Sequence, residues 1–163
     1  MNYTIHPQDF QSLLQCLIPS KGKLVGGIVR NFVQDLLECN DIDIWFTSND
    51  DKDMFIREFT SKHTFMMDET RHINEQGFDK YLGYWKLDEY CIPIELMVCL
   101  EFPMGDFSFN LLSYDGNIVQ SESTQFTTEE IISHIIHKSG FILKSNPRNM
   151  HKYIQYGYTL NKL

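Results

Sequence analysis

Two aspartates at alternating positions of a short apolar segment are the clearest candidates for chemistry. Asp41 and Asp43 flank Ile42 and precede the apolar residues 44–46, a pattern that predicts a β-strand. Because side chains alternate along a strand, both carboxylates lie on one face. Carboxylates held that close repel each other unless a cation lies between them. Hard oxygen ligands suit magnesium, so the segment predicts a divalent-metal site.

A glycine turn lies upstream of this pair. The short segment Lys23, Leu24 and Val25, apolar in its last two residues, ends at Gly26 and Gly27. These glycines permit backbone conformations closed to other residues and let a ligand approach the main chain. Apolar residues then recur at helical spacing over 28–37, which predicts a helix. Free amides at a helix N-terminus attract anions. Arg30, in the first helical turn, adds a cationic fork for phosphate oxygens.

A third carboxylate lies inside an apolar segment further along the chain. Glu95 is surrounded by Ile92, Ile94, Leu96 and Val98, which share the opposite face of a predicted strand. An unpaired carboxylate there would be costly to bury, and a metal ion would explain it. The alternative is that Glu95 lies on the solvent side of a half-buried strand.

Together these segments resemble the nucleotidyltransferases of the DNA polymerase beta superfamily, most closely the head domain of class II CCA-adding enzymes and bacterial-type poly(A) polymerases. The family signature is Gly-Gly-x-Val-Arg-Asp, then a variable gap and Asp-x-Asp in a hydrophobic strand. The residues that match its first part are Gly26, Gly27, Val29 and Arg30. Asn31 stands where the family usually has aspartate, whereas Asp41 and Asp43 match the metal-binding pair. The resemblance covers roughly residues 20–120.

A further segment is similar to the family motif Arg-Arg-Asp-Phe-Thr-Ile-Asn-Ala-Leu-Ala-Tyr. Asp106 and Asn110 fall on its polar positions, which in that family lie near the bound nucleotide. Met104 and Gly105 occupy the positions of the two arginines. Either another basic residue replaces those cations or the substrate differs. Without the resemblance, this segment would be interpreted as ordinary core.

The order of predicted elements indicates an α/β or α+β sandwich with a mixed sheet and helices packed on it. Helices are predicted over residues 7–17 and 49–62, and strands over 64–67 and 81–86 with a polar loop around 75–77. C-terminal helices are expected within residues 127–158, the first preceded by a capping box.

The second C-terminal helix carries a small basic and aromatic cluster. Arg148, His151 and Lys152 lie near Tyr153, Tyr156 and Tyr158. The cluster either touches a polynucleotide end or, as the favoured interpretation, belongs to a solvated helix.

Size and charge narrow the function classes. The 163 residues, 42% of them hydrophobic, fit one domain over residues 1–163. With 22 acidic and 14 basic residues the net charge is -8, so strong stand-alone nucleic-acid binding is not expected. No transmembrane span or signal peptide is evident, which predicts a cytoplasmic protein, in the host cytoplasm if the source is viral. The four cysteines are expected to be free core thiols.

The resemblance implies a transferase that moves a nucleoside monophosphate from an NTP to a hydroxyl acceptor and releases pyrophosphate. Asp41, Asp43 and Glu95 would hold two magnesium ions, with manganese as the alternative, and carry catalysis. The implied nucleotide-binding residues are Gly26, Gly27, Arg30, Asp106 and Asn110. ATP binding and RNA processing belong to the same family expectation.

The acceptor stays open at this point. It is an RNA 3′ end delivered by a partner protein, a small molecule, or a protein hydroxyl. The alternative function is a catalytically inactive nucleotide-binding or interaction module that retains the fold. Met104, Gly105 and Asn31 favour this alternative, whereas a complete carboxylate set disfavours it, because such a cluster is destabilising without a metal.

Overall fold

The computed structural model describes residues 2–75 and 78–163. Its helices are α1 (Pro7–Leu17), α2 (Gly27–Phe32), α3 (Asn49–Lys62), α4 (Thr128–His137) and α5 (Pro147–Gln155), with a 3-10 turn at Ser108–Asn110. Its strands are β1 (Tyr3–Thr4), β2 (Lys23–Val25), β3 (Glu38–Cys39), β4 (Ile42–Phe46), β5 (Phe65–Glu75), β6 (Phe78–Leu87), β7 (Tyr90–Val98), β8 (Leu112–Tyr114), β9 (Val119–Ser121), β10 (Ser139–Ile142) and β11 (Thr159–Lys162). Within these ranges no helix is long and apolar enough to cross a membrane.

A mixed sheet of seven strands forms the centre of the described structure, in the order β5-β6-β7-β4-β2-β8-β9. Strands β4 and β7 are parallel, and the other neighbours in this sheet are antiparallel. All five residues of β4 are buried, as expected for a strand covered on both faces. The predicted α/β architecture with a mixed sheet is therefore confirmed.

One face of the sheet is covered by helices. Helix α3 contacts β4, β5 and β7, and α1 packs beside α3. Aromatic rings fill this layer. The centre of the Phe59 ring lies 5.1 Å from that of Phe55 and 4.9 Å from that of Trp85, and the ring centres of Phe55 and Phe46 are 5.7 Å apart. These large buried side chains form the main core on this face of the sheet. The opposite face carries a smaller buried apolar cluster of Val25, Trp45 and Met97.

The predicted helices over residues 7–17 and 49–62 are confirmed as α1 and α3. The capping box of α4 is present, since Thr127 and Glu130 exchange side-chain and backbone hydrogen bonds. Ile18 continues the apolar spacing of α1, but it is 52% exposed. The reason is that Ile18 is the C-cap residue, beyond the last turn that packs on the core.

Helix α2 is shorter than its apolar spacing predicts. A helix through residue 37 is expected, but α2 ends at Phe32. Asp35 has a φ of 62°, and the amides of Asp35 and Leu36 donate to the carbonyls of Phe32 and Asn31 at 3.0 and 2.9 Å. This left-handed cap satisfies terminal carbonyls and ends the helix.

The hairpin of β5 and β6 is longer than the strands predicted at residues 64–67 and 81–86. The two strands pair in antiparallel fashion from Phe65 opposite Trp85 to Glu75 opposite Phe78, with a register shift along the way. The predicted polar loop around residues 75–77 includes Gln76 and Gly77, which lie outside the described residues.

The C-terminal segment forms a unit that the sequence does not predict. Strands β10 and β11 pair in parallel, and α5 lies between them in the chain. The amide of Phe141 in β10 donates to the Ser108 hydroxyl at 2.9 Å, which attaches this unit to the 3-10 turn. As a result Tyr153 and Tyr158 are buried against the rest of the molecule.

The four cysteines are free, as predicted, but only Cys16 and Cys39 are buried in the core. Cys91 is exposed and Cys99 is intermediate. The expectation of four core thiols is therefore wrong for Cys91. Its position explains this, since it is the second residue of β7, next to the turn that joins β6 and β7.

Candidate active site

The three predicted metal-binding carboxylates meet at one point of the central sheet. Asp41 immediately precedes β4, and Asp43 lies within it. In the parallel pairing of β4 with β7, Asp43 is directly opposite Glu95, so both side chains leave the same face. Ligand oxygens from the three residues all lie within 4.8 Å of one another. The tertiary structure thus brings together carboxylates that are far apart in the sequence.

Burial makes this concentration of negative charge unfavourable. Asp43 is 8% exposed, and its pKa is raised well above the ordinary value by burial, by the charges of Asp41 and Glu95, and by a hydrogen bond with Glu95. Burial and the charge of Glu95 also raise the pKa of Asp41. A cation between the three carboxylates would offset this repulsion. Hard oxygen donors that converge in this way fit a magnesium ion.

A lysine from the neighbouring strand also reaches the carboxylates. Lys80 lies on β6 opposite Met97 of β7, and therefore on the same face as Glu95. Its Nζ is 3.4 Å from Glu95 Oε2. Burial raises the pKa of Asp41 and Asp43, and the positive charge of Lys80 acts in the opposite direction. Sequence reasoning missed Lys80, because its approach to Glu95 depends on the pairing of β6 with β7.

The glycine turn lies directly against the carboxylates. Gly26 has a φ of 74°, a conformation that favours glycine. A Cβ atom on Gly26 would lie 2.9 Å from Asp43 Oδ2 and 3.0 Å from Met104 Cε, so no side chain fits there. Gly27 begins α2, and a Cβ atom on it would lie 3.2 Å from Arg30 Nη2. The turn therefore positions backbone, aspartate and arginine next to one another.

The side chain of Arg30 connects α2 to the C-terminal half of the chain. Its Nη1 donates to Asn110 Oδ1 and, at 3.2 Å, to the hydroxyl of Tyr153. The guanidinium lies 5.0 Å from the centre of the Tyr153 ring, and Asn110 Nδ2 donates to the same hydroxyl at 3.0 Å. Asn31 instead donates to the Glu38 carbonyl at 2.7 Å. Arg30 is thus oriented without the aspartate that the family motif usually has at the next position.

A cleft of about 630 Å³ contains most of these groups. Its lining residues include Gly27, Arg30, Asp41, Asp43, Glu95, Met104, Lys138, Lys152, Tyr153, Tyr156 and Tyr158. We call the three carboxylates the acidic wall of this cleft, and the basic and aromatic lining residues of the C-terminal segment its second wall. Lys152 Nζ lies 5.5 Å from the Tyr153 ring centre and 5.9 Å from that of Tyr156, and its charge acts on Asp41.

This second wall changes the interpretation of α5. The solvated helix that the sequence favours describes only part of it, because Tyr153 is 5% exposed and lines the cleft. The basic and aromatic composition of residues 148–158 was the available signal. The sequence alone could not place these residues in the cleft, because their position depends on the tertiary contact between Tyr153 and Arg30.

Asp106 lies apart from the other predicted nucleotide-binding residues. Its Oδ2 accepts hydrogen bonds from the side chains of Asn146 at 3.1 Å and Asn149 at 3.4 Å. Its carbonyl accepts from the amides of Leu143 and Lys144. Asp106 lines a separate cavity of about 580 Å³ and anchors the segment before α5. Its contact with nucleotide stays a prediction, as does that of Asn110.

Comparisons with known proteins find similarity in structure alone. No family model and no curated protein matches the sequence. A solved structure described as a tRNA-processing enzyme superposes with a TM-score of 0.60 at 12% identity, over 99% of this chain and 46% of that chain. A CCA-adding enzyme in an apo form superposes with a TM-score of 0.57 at 12% identity, over 96% and 42%.

A third structure, described as a complex of CCA-adding enzyme with ATP, has a TM-score of 0.59 at 13% identity, over 96% of this chain and 40% of that chain. The chain therefore spans less than half the length of these neighbours. It has a nucleotidyltransferase-like fold. At identities of 12 and 13% the similarity concerns the fold.

Proposed function

We propose that this protein transfers a nucleoside monophosphate from an NTP to a hydroxyl acceptor, with release of pyrophosphate and in dependence on magnesium. The observation that carries the proposal is the convergence of Asp41, Asp43 and Glu95 within 4.8 Å, beside the turn at Gly26. A structural neighbour described as a complex with ATP supports an NTP as the donor.

The carboxylates would hold the divalent cations, which we propose to be magnesium, with manganese as the alternative. Bound there, the ions would neutralise phosphate charge and stabilise the attacking and leaving oxygens. The support is the donor set itself, since three carboxylates with Asp43 nearly inaccessible to water are costly to keep ionised without a cation. Glu95 and Asp41 are more accessible than Asp43 and face the cleft.

The transfer is a displacement at the α-phosphorus of the NTP. The acceptor hydroxyl oxygen forms a bond to this phosphorus, and the bond from the phosphorus to the oxygen bridging the α- and β-phosphates breaks. Pyrophosphate leaves with that electron pair. The hydroxyl proton passes to Glu95 or to water.

The positive charge for the triphosphate would come mainly from side chains. Helix α2 has only six residues, so its dipole is weak. Arg30, Lys138 and Lys152 all line the same cleft as the carboxylates. We propose that these three cations take the place of the two arginines that the family motif has at Met104 and Gly105.

The acceptor is the undetermined half of the reaction. The chain spans less than half of its neighbours, and the words that describe them as acting on tRNA apply to those proteins. We propose RNA delivered by a partner, a small molecule or a protein hydroxyl as acceptor. The net charge of -8 argues against tight RNA binding by this chain alone.

Incubation with labelled NTPs, magnesium and cell extract tests the proposal. We expect a label that depends on the protein and on magnesium to appear in one class of acceptor. The variant Asp43→Asn should give no label. Equal labelling by the wild type and Asp43→Asn would refute the transfer chemistry proposed here.

A nucleotide-binding module without turnover is the second candidate. Met104 and Gly105 in place of the family's two arginines, together with Asn31 in place of its aspartate, favour it. Calorimetry of NTP binding in magnesium, combined with a pyrophosphate assay, separates the two functions. Binding without pyrophosphate release in the presence of the extract supports the module.

A further inference from the structure

The contact between Lys80 and Glu95 distinguishes one side of the proposed metal site from the other. Lys80 Nζ is 3.4 Å from Glu95 Oε2, and the two side chains are 27% and 30% exposed. The pair is therefore partly withdrawn from water, where charges interact more strongly than on an open surface. A divalent ion that binds Glu95 through Oε2 competes directly with Lys80, and an ion that binds through Oε1 is still repelled by the lysine charge on the same carboxylate.

The total charge of Lys80 and the three carboxylates also makes the first and the second metal ion unequal. The three carboxylates carry three negative charges when ionised, and Lys80 offsets one of them. A first divalent ion would neutralise the remainder. A second ion then gains little attraction until a triphosphate brings further negative charge into the cleft.

We propose that Lys80 sets the affinity and the order of metal binding, by competing with the divalent ion for Glu95. The ion that contacts Glu95 binds weakly to the free protein and tightly once an NTP is present. Lys80 is thus a positioning residue of the metal site. This inference rests on the proposed function, since it assigns metal binding to the same three carboxylates.

Binding of Mn²⁺ to the full chain, measured by calorimetry and by electron paramagnetic resonance, tests the inference without any turnover. Removing the charge in Lys80→Met should tighten Mn²⁺ binding about tenfold in the absence of nucleotide. The reason is that the partly exposed Lys80 charge repels a divalent ion twice as strongly as it would repel a monovalent one. Lys80→Gln, a polar variant, should behave in the same way. Lys80→Arg should bind Mn²⁺ like the wild type.

Lys86→Met provides the matched control. Lys86 is exposed on the same strand and the same face, but it pairs with Cys91 rather than with a residue near Glu95. The Lys86→Met variant loses one positive charge, as Lys80→Met does, but far from the carboxylates. Its affinity for Mn²⁺ should therefore equal that of the wild type. Addition of a non-hydrolysable NTP analogue should narrow the difference between Lys80→Met and the wild type.

Unchanged or weaker Mn²⁺ binding by both Lys80→Met and Lys80→Gln would overturn the role of Lys80, and the proposed function would stand if the wild type still transfers nucleotide. If the wild type and Asp43→Asn bind Mn²⁺ equally poorly, the metal site itself fails, and with it both proposals. Folding of each variant is checked by its thermal melting curve.

Discussion

The two walls of the cleft are built in different ways. The acidic wall consists of Asp41, Asp43 and Glu95 on two adjacent strands in the middle of the sheet. The basic and aromatic wall consists of side chains such as Lys152 and Tyr153 from the C-terminal segment, held by contacts to Arg30 and Asn110. The first wall is rigid because it belongs to the core. The second depends on long-range contacts of the C-terminal segment, both these polar ones and the packing of Tyr153 against the rings of Phe107 and Phe109.

This difference shows which part of a site tolerates sequence divergence. A strand period of two and a glycine turn place Asp41 and Asp43 through local geometry, and the register of β4 with β7 places Glu95, so the same residue types must recur. The opposing wall needs only cations and aromatic rings in the right volume. Changes in the acidic wall should therefore abolish function, whereas changes in the second wall should weaken it.

Asp43→Asn tests the acidic wall most severely. We expect nucleotidyl transfer to fall by about 10³-fold, because a metal ion contributes several kcal/mol to such reactions. The melting temperature in EDTA should rise, since the pKa of Asp43 is raised by burial and by the neighbouring charges, and asparagine removes this unfavourable charge. Pyrophosphate release and thermal melting measure the two effects.

Asp88→Asn is the control for this change. Asp88 is exposed in the turn between β6 and β7, with a φ of 53° that asparagine tolerates. It should leave both activity and melting temperature near the wild-type values. A loss of activity in Asp88→Asn equal to that in Asp43→Asn would contradict a special role of the acidic wall.

Gly26→Ala tests the close contact between the glycine turn and Asp43 of the acidic wall. A positive φ and a Cβ position 2.9 Å from Asp43 Oδ2 should cost about 2 kcal/mol in unfolding free energy and displace Asp43. We expect a lower urea midpoint and weaker Mn²⁺ binding. Gly105→Ala is the matched control, since a Cβ atom there meets no atom within 4 Å, and it should be nearly neutral.

Tyr153→Phe tests the second wall. The variant keeps the ring under Arg30 but removes the hydroxyl that accepts from Arg30 and Asn110. It should lower the unfolding free energy by about 1 kcal/mol and weaken NTP binding severalfold, as measured by urea unfolding and calorimetry. Tyr90→Phe, at a residue 49% exposed and outside the lining of the cleft, should change neither quantity. Equal effects of the two changes would show that the hydroxyl of Tyr153 does not hold this wall.

Thiol labelling gives the smallest expected effect. Burial, followed by the charges of Asp41 and Asp43, raises the pKa of Cys39 to about 12, so its reactive thiolate is nearly absent at pH 9. Iodoacetamide at pH 7 to 9 should modify the exposed Cys91 and leave Cys39 unmodified, as peptide mass spectrometry would detect. Modification of Cys39 at the rate of Cys91 would mean that the acidic wall opens readily.

Much of the fold follows from local sequence. The helices α1 and α3 and the capping box of α4 are confirmed because apolar spacing and caps act within one element. The end of α2 could not be predicted from apolar spacing, since the left-handed cap at Asp35 interrupts it. The parallel pairing of β10 with β11 was missed as well, because it depends on residues separated by a whole helix.

By itself the sequence determined which residue types the site contains and which of them share a strand face. The alternation of Asp41 and Asp43 and the glycines of the turn are properties of neighbouring residues. Only the tertiary structure decided that Glu95 meets Asp43, that Lys80 reaches Glu95, and that the cleft has a basic and aromatic second wall. The physical reason is that register between strands and docking of the C-terminal segment depend on the whole core, and no local pattern encodes them.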